Sequence, residues 1–230
     1  METKIIAYII ERKDYDMFDE ILTFLTENGQ KITCFAPGTR KILSKNGRNI
    51  FIGSSAEVVF FKARTENKMS KLKKIWILKY FPWDYRGDKN FLLLSELMEK
   101  TVFFSLDTFT FYQYCVDAIS LESLPENLLT LVILEKYLKL SGVNFETAKC
   151  VGCEESNFTN ISLKMHGFVC EKCDKEKNKY PPEVIKCFYY LFEEEYMKIE
   201  KFLTEGTYVQ LIHLLKKYIL DNLGIKISSL

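Results

Sequence analysis

Only two histidines occur in the 230 residues, His166 and His213. General acid–base catalysis by histidine therefore has little material. His166 precedes Gly167-Phe168 and His213 precedes Leu214-Leu215, so neither opens the H-x-E signature of zinc deaminases. No G-x4-G-K-[ST] phosphate loop and no G-x-G-x-x-G turn is present. Apolar runs stop short of the roughly eighteen residues that cross a bilayer, so no membrane span is expected. The opening METKIIAYIIERKDYD gains charge at once and has no small-residue cleavage pattern. A signal peptide is not expected, and a cytoplasmic setting is. Internal repeats, low-complexity tracts and an evident interdomain linker are lacking too. The acidic run Glu193-Glu194-Glu195 is expected on a helix, where consecutive residues diverge and form a solvated face. His213, among Leu211, Ile212, Leu214 and Leu215, is expected in or beside a helical core. No catalytic constellation emerges.

What the chain does have is uneven charge. A net charge of +1 hides three regions. Residues 1–30 hold 3 basic and 7 acidic side chains, residues 31–90 hold 14 and 4, and residues 91–230 hold 15 and 20. A local basic excess is the electrostatic footprint of polyanion binding; a solvated lysine-rich surface is the plainer alternative.

The same N-terminal part reads as strands. KIIAYIIE (4–11) is rich in Ile and Tyr. ILTFLTENGQKITCFA (21–36) reads as two strands about Asn28-Gly29, a strong hairpin signal because both residues accept positive φ. NIFIGSSAEVVFFKA (49–63) predicts another strand with a bulge or bend at Gly53, and KIWILKYF (74–81) another. About five strands in about 80 residues suggest a small barrel, of which the five-stranded OB-fold is the natural choice. Phe35, Phe51, Trp76 and Tyr80 could stack on bases, yet each is expected in the core, because about half of barrel side chains point inward.

Beyond residue 90 the texture turns helical. The stretch 91–120 is too long and apolar for strands. Segments at 125–142 and 181–203 each open on Pro, and the first closes on Gly142, the expected helix limits. A fourth, 207–223, carries its apolar stripe at Leu211, Leu214, Leu215, Tyr218 and Ile219. The expected architecture is an OB-fold domain at 1–85 and an all-helical domain at 86–230, with a cysteine-rich insert at 148–175.

That insert holds Cys150, Cys153, Cys170 and Cys173, two C-x2-C pairs sixteen residues apart. In a reducing compartment this spacing reads as a metal site. Four thiolates complete a tetrahedral zinc site with no open position, so the metal is structural; an iron–sulfur cluster is the competing metal. His166 could replace one thiolate but is expected to be a bystander. Asn160–Val169 reads as a short strand or hairpin. Cys34, Cys115 and Cys187 sit in apolar patterns and read as buried, unligated thiols.

Two stretches together resemble the bacterial recombination mediator family RecO. In YDMFDEILTFLTENGQKITCFAPGTRKILSK, Thr26-Glu27-Asn28-Gly29 matches the family's T-x-x-G turn, and Ala36, Gly38, Arg40, Lys41 and Ser44 match its A-x-G loop with basic residues and a serine. In LEKYLKLSGVNFETAKCVGC…FTNISLKMHGFVCEKC, Leu138, Gly142 and the four cysteines fall in the family's order. The insert departs from the family at two places where glycine is usual: Glu154 follows the second cysteine, and His166 stands first of the pair before the third. Pro37 occupies a position where the family varies. The resemblance implies a non-enzymatic protein with an N-terminal OB-fold, a helical domain with a zinc insert, and binding and annealing of single-stranded DNA, with duplex binding as well. It implies partners RecR and the single-stranded DNA-binding protein SSB, whose acidic tail would dock in the helical domain, in support of RecA loading. It places the protein in the cytoplasm, at the nucleoid. Arg40, Lys41, Lys45, Arg48, Lys71, Lys73 and Lys74 are the candidate phosphate contacts. The alternative of another class is an interaction adaptor that does not touch nucleic acid. A zinc-ribbon reader is disfavoured, because the insert between Cys150 and Cys173 carries Lys164 and Lys172 against Glu154, Glu155 and Glu171.

Overall fold

The computed structural model of the chain describes residues 2–65, 68–102, 104–175 and 179–230. These form two compact units, Met1–Leu121 and Glu122–Leu230.

The first unit is built on five strands: β1 Glu2–Asp14, β2 Glu20–Thr26, β3 Lys31–Ala36, β4 Ser55–Phe61 and β5 Ser70–Lys79. The pairing order β1-β2-β3-β5-β4 returns to β1 and closes the sheet into a barrel. All pairs are antiparallel except β3 with β5, which joins at Cys34–Ser70 and Phe35–Lys71. This is the five-stranded Greek-key order of an OB-fold. The Asn28-Gly29 signal makes the β2–β3 hairpin, with Gly29 at φ +70° and its N–H bonded to the Thr26 carbonyl at 2.8 Å. Strand alternation, shifted by one residue in β5 between Leu72 and Lys74, sends Ile9, Leu22, Phe24, Cys34, Ala36, Val58, Phe60, Leu72 and Ile75 into the core. The expected strand over 49–63 is shorter. Residues Gly47–Asn49 form a 3-10 turn, and pairing begins only at Ser55, after the chain bends through Gly53 at φ +89°.

The expected helical run at 91–120 is two helices, α1 Lys89–Lys100 and α2 Leu106–Ser120. Ser105 and Thr108 form a reciprocal capping box that starts α2 afresh; Phe103, between the helices, lies outside the described residues. Both helices pack on the barrel unit. The Phe91 ring of α1 stacks on Phe81 at 4.6 Å, and Phe109 and Tyr112 of α2 flank Tyr8 of β1 at 5.5 and 5.2 Å. Lys79 Nζ pairs with Asp117 at 2.6 Å beside them.

The second unit holds α3 Glu126–Leu140, the hairpin β6 Asn160–Ser162 and β7 Gly167–Val169, then α4 Pro182–Phe192, the short α5 Tyr196–Ile199 and α6 Glu205–Leu223. Every residue of α3 from Leu128 to Glu135 is buried, as a helix apolar on all sides must be. Phe145 brings the insert onto the helices through edge and tilted contacts with Phe168, Phe188, Phe192 and Tyr218. The expected helix at 181–203 breaks after Phe192, because Glu194 adopts the left-handed conformation at φ +60°. The acidic run is therefore no helix face. Glu193 accepts from Thr147, Glu194 accepts from Lys139 at 2.8 Å, and Glu195 pairs with Lys198 at 2.6 Å. His213 is exposed, not in the core, because it lies on α6 away from the stripe of Leu211, Leu214, Leu215 and Tyr218. Cys34, Cys115 and Cys187 are buried thiols, and burial pushes Cys34 up to about 12 and Cys187 to about 11.

Candidate nucleic-acid interface and metal centre

The segment between β3 and β4, residues 37–54, contains no acidic residue and is held close to the barrel. Gly38 N–H donates to Asp19 Oδ1 at 2.7 Å, and Arg40 N–H to the Phe18 carbonyl at 3.0 Å. Gly47 N–H donates to Ser44 Oγ at 3.1 Å. A Cβ on Gly47 would stand 2.1 Å from the Thr39 carbonyl oxygen, so only glycine lets the two ends of this loop approach. At its far end, the buried Glu20 carboxylate accepts from Arg12, whose guanidinium also reaches the Ile50 carbonyl at 3.4 Å.

This loop meets β5. Asn46 Nδ2 donates to the Lys73 carbonyl oxygen at 3.2 Å. Arg40, Lys41, Lys45 and Arg48 thus share one region of the barrel with Lys71, Lys73 and Lys74, and all seven are exposed. They are not equivalent. Arg40 pairs with Asp14 at 3.0 Å and donates to the Asp16 carbonyl at 3.3 Å, which spends its guanidinium on joining this loop to the β1–β2 loop. Lys73 pairs with Glu2 at 2.5 Å and lies over the Phe61 ring. Lys74 lies 4.2 Å above the Trp76 ring, a contact worth about 0.5–1 kcal/mol at an exposed site. Among the described residues Lys41, Lys45, Arg48 and Lys71 have no carboxylate partner.

The four aromatics expected in the core are not buried. Trp76 and Tyr80 are exposed, and Phe35 and Phe51 are partly covered by Tyr15 and Tyr80. Alternation explains it: Cys34, Ala36 and Ile75 take the inward positions next to Phe35 and Trp76. From the sequence Asn46-Gly47 reads as a tight turn, but nothing there shows that Asn46 reaches Lys73 and joins the two cationic segments, and Ile42 and Leu43, 96% and 83% exposed between Lys41 and Lys45, carry no reading there. The signal for the latter was two aliphatic residues inside a run of turn formers and cations.

In the second unit, Cys150, Cys153, Cys170 and Cys173 converge, with all four Sγ atoms within 4.8 Å of one another. Cys153 and Cys170 Sγ lie 3.6 Å apart. Thiolates about 2.3 Å from a tetrahedral ion would stand about 3.8 Å apart, so the donor set is compatible with zinc. Burial opposes ionisation of Cys150, but backbone N–H groups of Cys170, at 3.2 Å, and Gly152, at 3.4 Å, outweigh it and hold the thiol down to about 6. Hydrogen bonds with Cys153 and Cys170 push Cys173 up to about 12. A metal that displaces the remaining protons suits such a crowded set. A Cβ on Gly152 would come within 2.8 Å of Cys173 Cβ and Sγ, so the first knuckle needs glycine there. His166 is no part of the cluster; its Nδ1 and the Tyr218 hydroxyl are hydrogen-bonded at 2.6 Å, which ties the β6–β7 hairpin to α6.

The chain is similar to known proteins along most of its length. The family model for the recombination protein O N terminal region matches residues 1–81, and that for its C terminal region matches residues 93–230. A protein named DNA repair protein RecO from Mesoplasma florum is 24% identical over 234 residues, covering 97% of this chain and 87% of its own. One of the same name from Clostridium perfringens strain 13 is 28% identical over 179 residues, covering 75% of this chain and 72% of its own. A third, from Mycoplasma mycoides, is 23% identical over 180 residues, covering 75% and 71%.

Proposed function

The chain belongs to the RecO family of DNA repair and recombination proteins, and on that premise we propose that it binds single-stranded DNA through the barrel and anneals complementary strands. The carrying observation is the Asn46–Lys73 hydrogen bond, which makes one cationic surface of two segments distant in sequence. Residues 1–85 supply this surface, and residues 86–230, with the insert at 148–175, form the partner-binding part. Lys41, Lys45, Arg48 and Lys71 neutralise phosphates, assisted by Lys73 and Lys74, while Arg40 chiefly positions the loop. Trp76 and Tyr80 are exposed rings of the barrel on which bases can stack.

Annealing on such a surface requires no catalytic residue. Two strands repel through their phosphates, and neutralising both lowers that repulsion. The same surface accepts duplex DNA, so the protein holds reactants and product alike. In this reading RecR and SSB are its partners in loading recombinase, with the SSB tail on the helical part, and it acts in the cytoplasm at the nucleoid. One zinc per chain, held by Cys150, Cys153, Cys170 and Cys173, supplies folding free energy to the insert and takes no part in DNA chemistry. The test is single-strand affinity of the full chain across a salt series; phosphate contacts demand a steep fall with salt, and flat or absent binding counts against the proposal.

A further inference from the structure

Ile42 and Leu43 occupy the two central positions of a tight turn, closed by Ser44 N–H donating to the Lys41 carbonyl at 2.9 Å. Such positions favour Pro, Gly, Asn, Asp or Ser. A β-branched and a γ-branched aliphatic side chain there break the local rule, and at 96% and 83% exposure neither has a core to fill. The turn is no loose tip. Its base is pinned by the Gly38–Asp19, Arg40–Phe18 and Gly47–Ser44 hydrogen bonds, so the backbone that presents the two exposed side chains is held in place. Cations collar them on both sides, Lys41 before, and Lys45 and Arg48 after. Lys41 Nζ lies 5.6 Å over the Phe18 ring, which leads to the exposed Met17 on the neighbouring loop. Departure from local preference without a folding gain marks a functional position.

An exposed apolar tip flanked in sequence by Lys41, Lys45 and Arg48 is complementary to the stacked bases and flanking phosphates of a nucleic acid. Proteins that unstack bases use this combination: aliphatic wedges replace base–base contact while cations hold the backbone. We infer that Ile42 and Leu43 form a wedge that inserts between adjacent bases of bound DNA. The inference rests on the DNA-binding reading above and adds to it a distinct role: the cations give affinity, and the wedge opens the stack. Unstacked bases are free to find complements, which is what annealing needs.

The experiment uses the full chain and a single-stranded oligonucleotide carrying one 2-aminopurine, whose fluorescence rises when it loses stacking neighbours. The parent raises the fluorescence on binding. The double variant Ile42→Ser/Leu43→Ser keeps the salt slope, loses affinity by about tenfold, as expected for removing buried aliphatic contact, and abolishes the rise. An unchanged thermal midpoint certifies its fold. As a second probe, Leu43→Trp in a Trp76→Phe background adds an indole at the tip whose emission DNA quenches. A double variant that matches the parent in affinity and fluorescence, or an added indole blind to DNA, overturns the wedge and leaves the cationic surface standing. Absence of salt-dependent binding by the parent overturns the underlying DNA reading itself.

Discussion

The side-chain amide of Asn46 donates to the main-chain carbonyl of Lys73 across 27 residues of sequence. It carries no charge, yet it fixes where the charges of two segments stand relative to each other. Asn46→Ala should therefore weaken single-strand binding by a few fold while leaving the salt slope near the parent value, since no phosphate contact is removed. Affinities at several salt concentrations check this; a slope that drops as for a lost cation contradicts the positioning role.

Glu154 and His166 both hold positive φ, +63° and +54°, at the two positions where the family usually has glycine. A left-handed L-residue costs roughly 1–2 kcal/mol. Glu154→Gly should stabilise the metal-loaded protein by up to about 1 kcal/mol, with Lys149 losing only an exposed ion pair. His166→Gly should not, because it also forfeits the bond to Tyr218. Thermal unfolding of the two variants side by side checks the contrast; equal stabilisation would deny His166 its anchoring role.

The four converging Sγ atoms are compatible with zinc. Protein from zinc-replete growth should hold one zinc per chain, and Cys150→Ser should lose it. The damage should appear as unfolding of the insert, visible as proteolysis near residues 150–173, while single-strand binding by the barrel survives. Substoichiometric zinc, or an iron–sulfur chromophore, refutes the assignment.

Glu135 of α3 is fully buried, accepts from Tyr196 at 3.3 Å and pairs with Lys139 at 2.7 Å. Burial raises its pKa, and Lys139 offsets that only in part. A carboxyl whose folded pKa is raised binds more protons folded than unfolded between the ordinary and the raised value. Its contribution to stability thus falls as pH rises through that window. Relative to Glu135→Gln, the parent should lose stability as pH rises from the ordinary carboxylate range through the raised value. Denaturant unfolding of both proteins at each pH checks it; a parallel pH dependence rejects it. Lys139→Met should cost about 3–5 kcal/mol, since it strands a buried carboxylate.

Much of this was legible in the sequence where one local rule sufficed. Asn28-Gly29 made its hairpin, and the paired cysteines converged as their spacing demands. The failures share a cause. Glu194 ended a helix in a conformation usually left to glycine, so nothing in its identity announced the break. Trp76 is expected inward only because about half of barrel side chains are, whereas barrel register decides which face a strand residue takes. The split between α1 and α2 did have a signal, the Ser105–Thr108 cap, overridden by the apolar length around it. The union of Arg40–Arg48 with Lys71–Lys74 is a tertiary fact, made by one amide and by strand pairing, and no reading along the chain contains it.

The most direct test of the DNA-binding surface is the salt dependence of single-strand affinity for the parent and for Lys41→Ala/Lys45→Ala/Arg48→Ala. The triple variant spares Arg40, whose pairing with Asp14 holds the loop. Each phosphate contact contributes roughly 0.7 to the slope of log affinity against log salt. The account predicts a slope shallower by roughly 2, with steeply weaker binding at low salt, unchanged circular dichroism and unchanged zinc. A folded triple variant that binds and anneals single strands with the parent slope would contradict it.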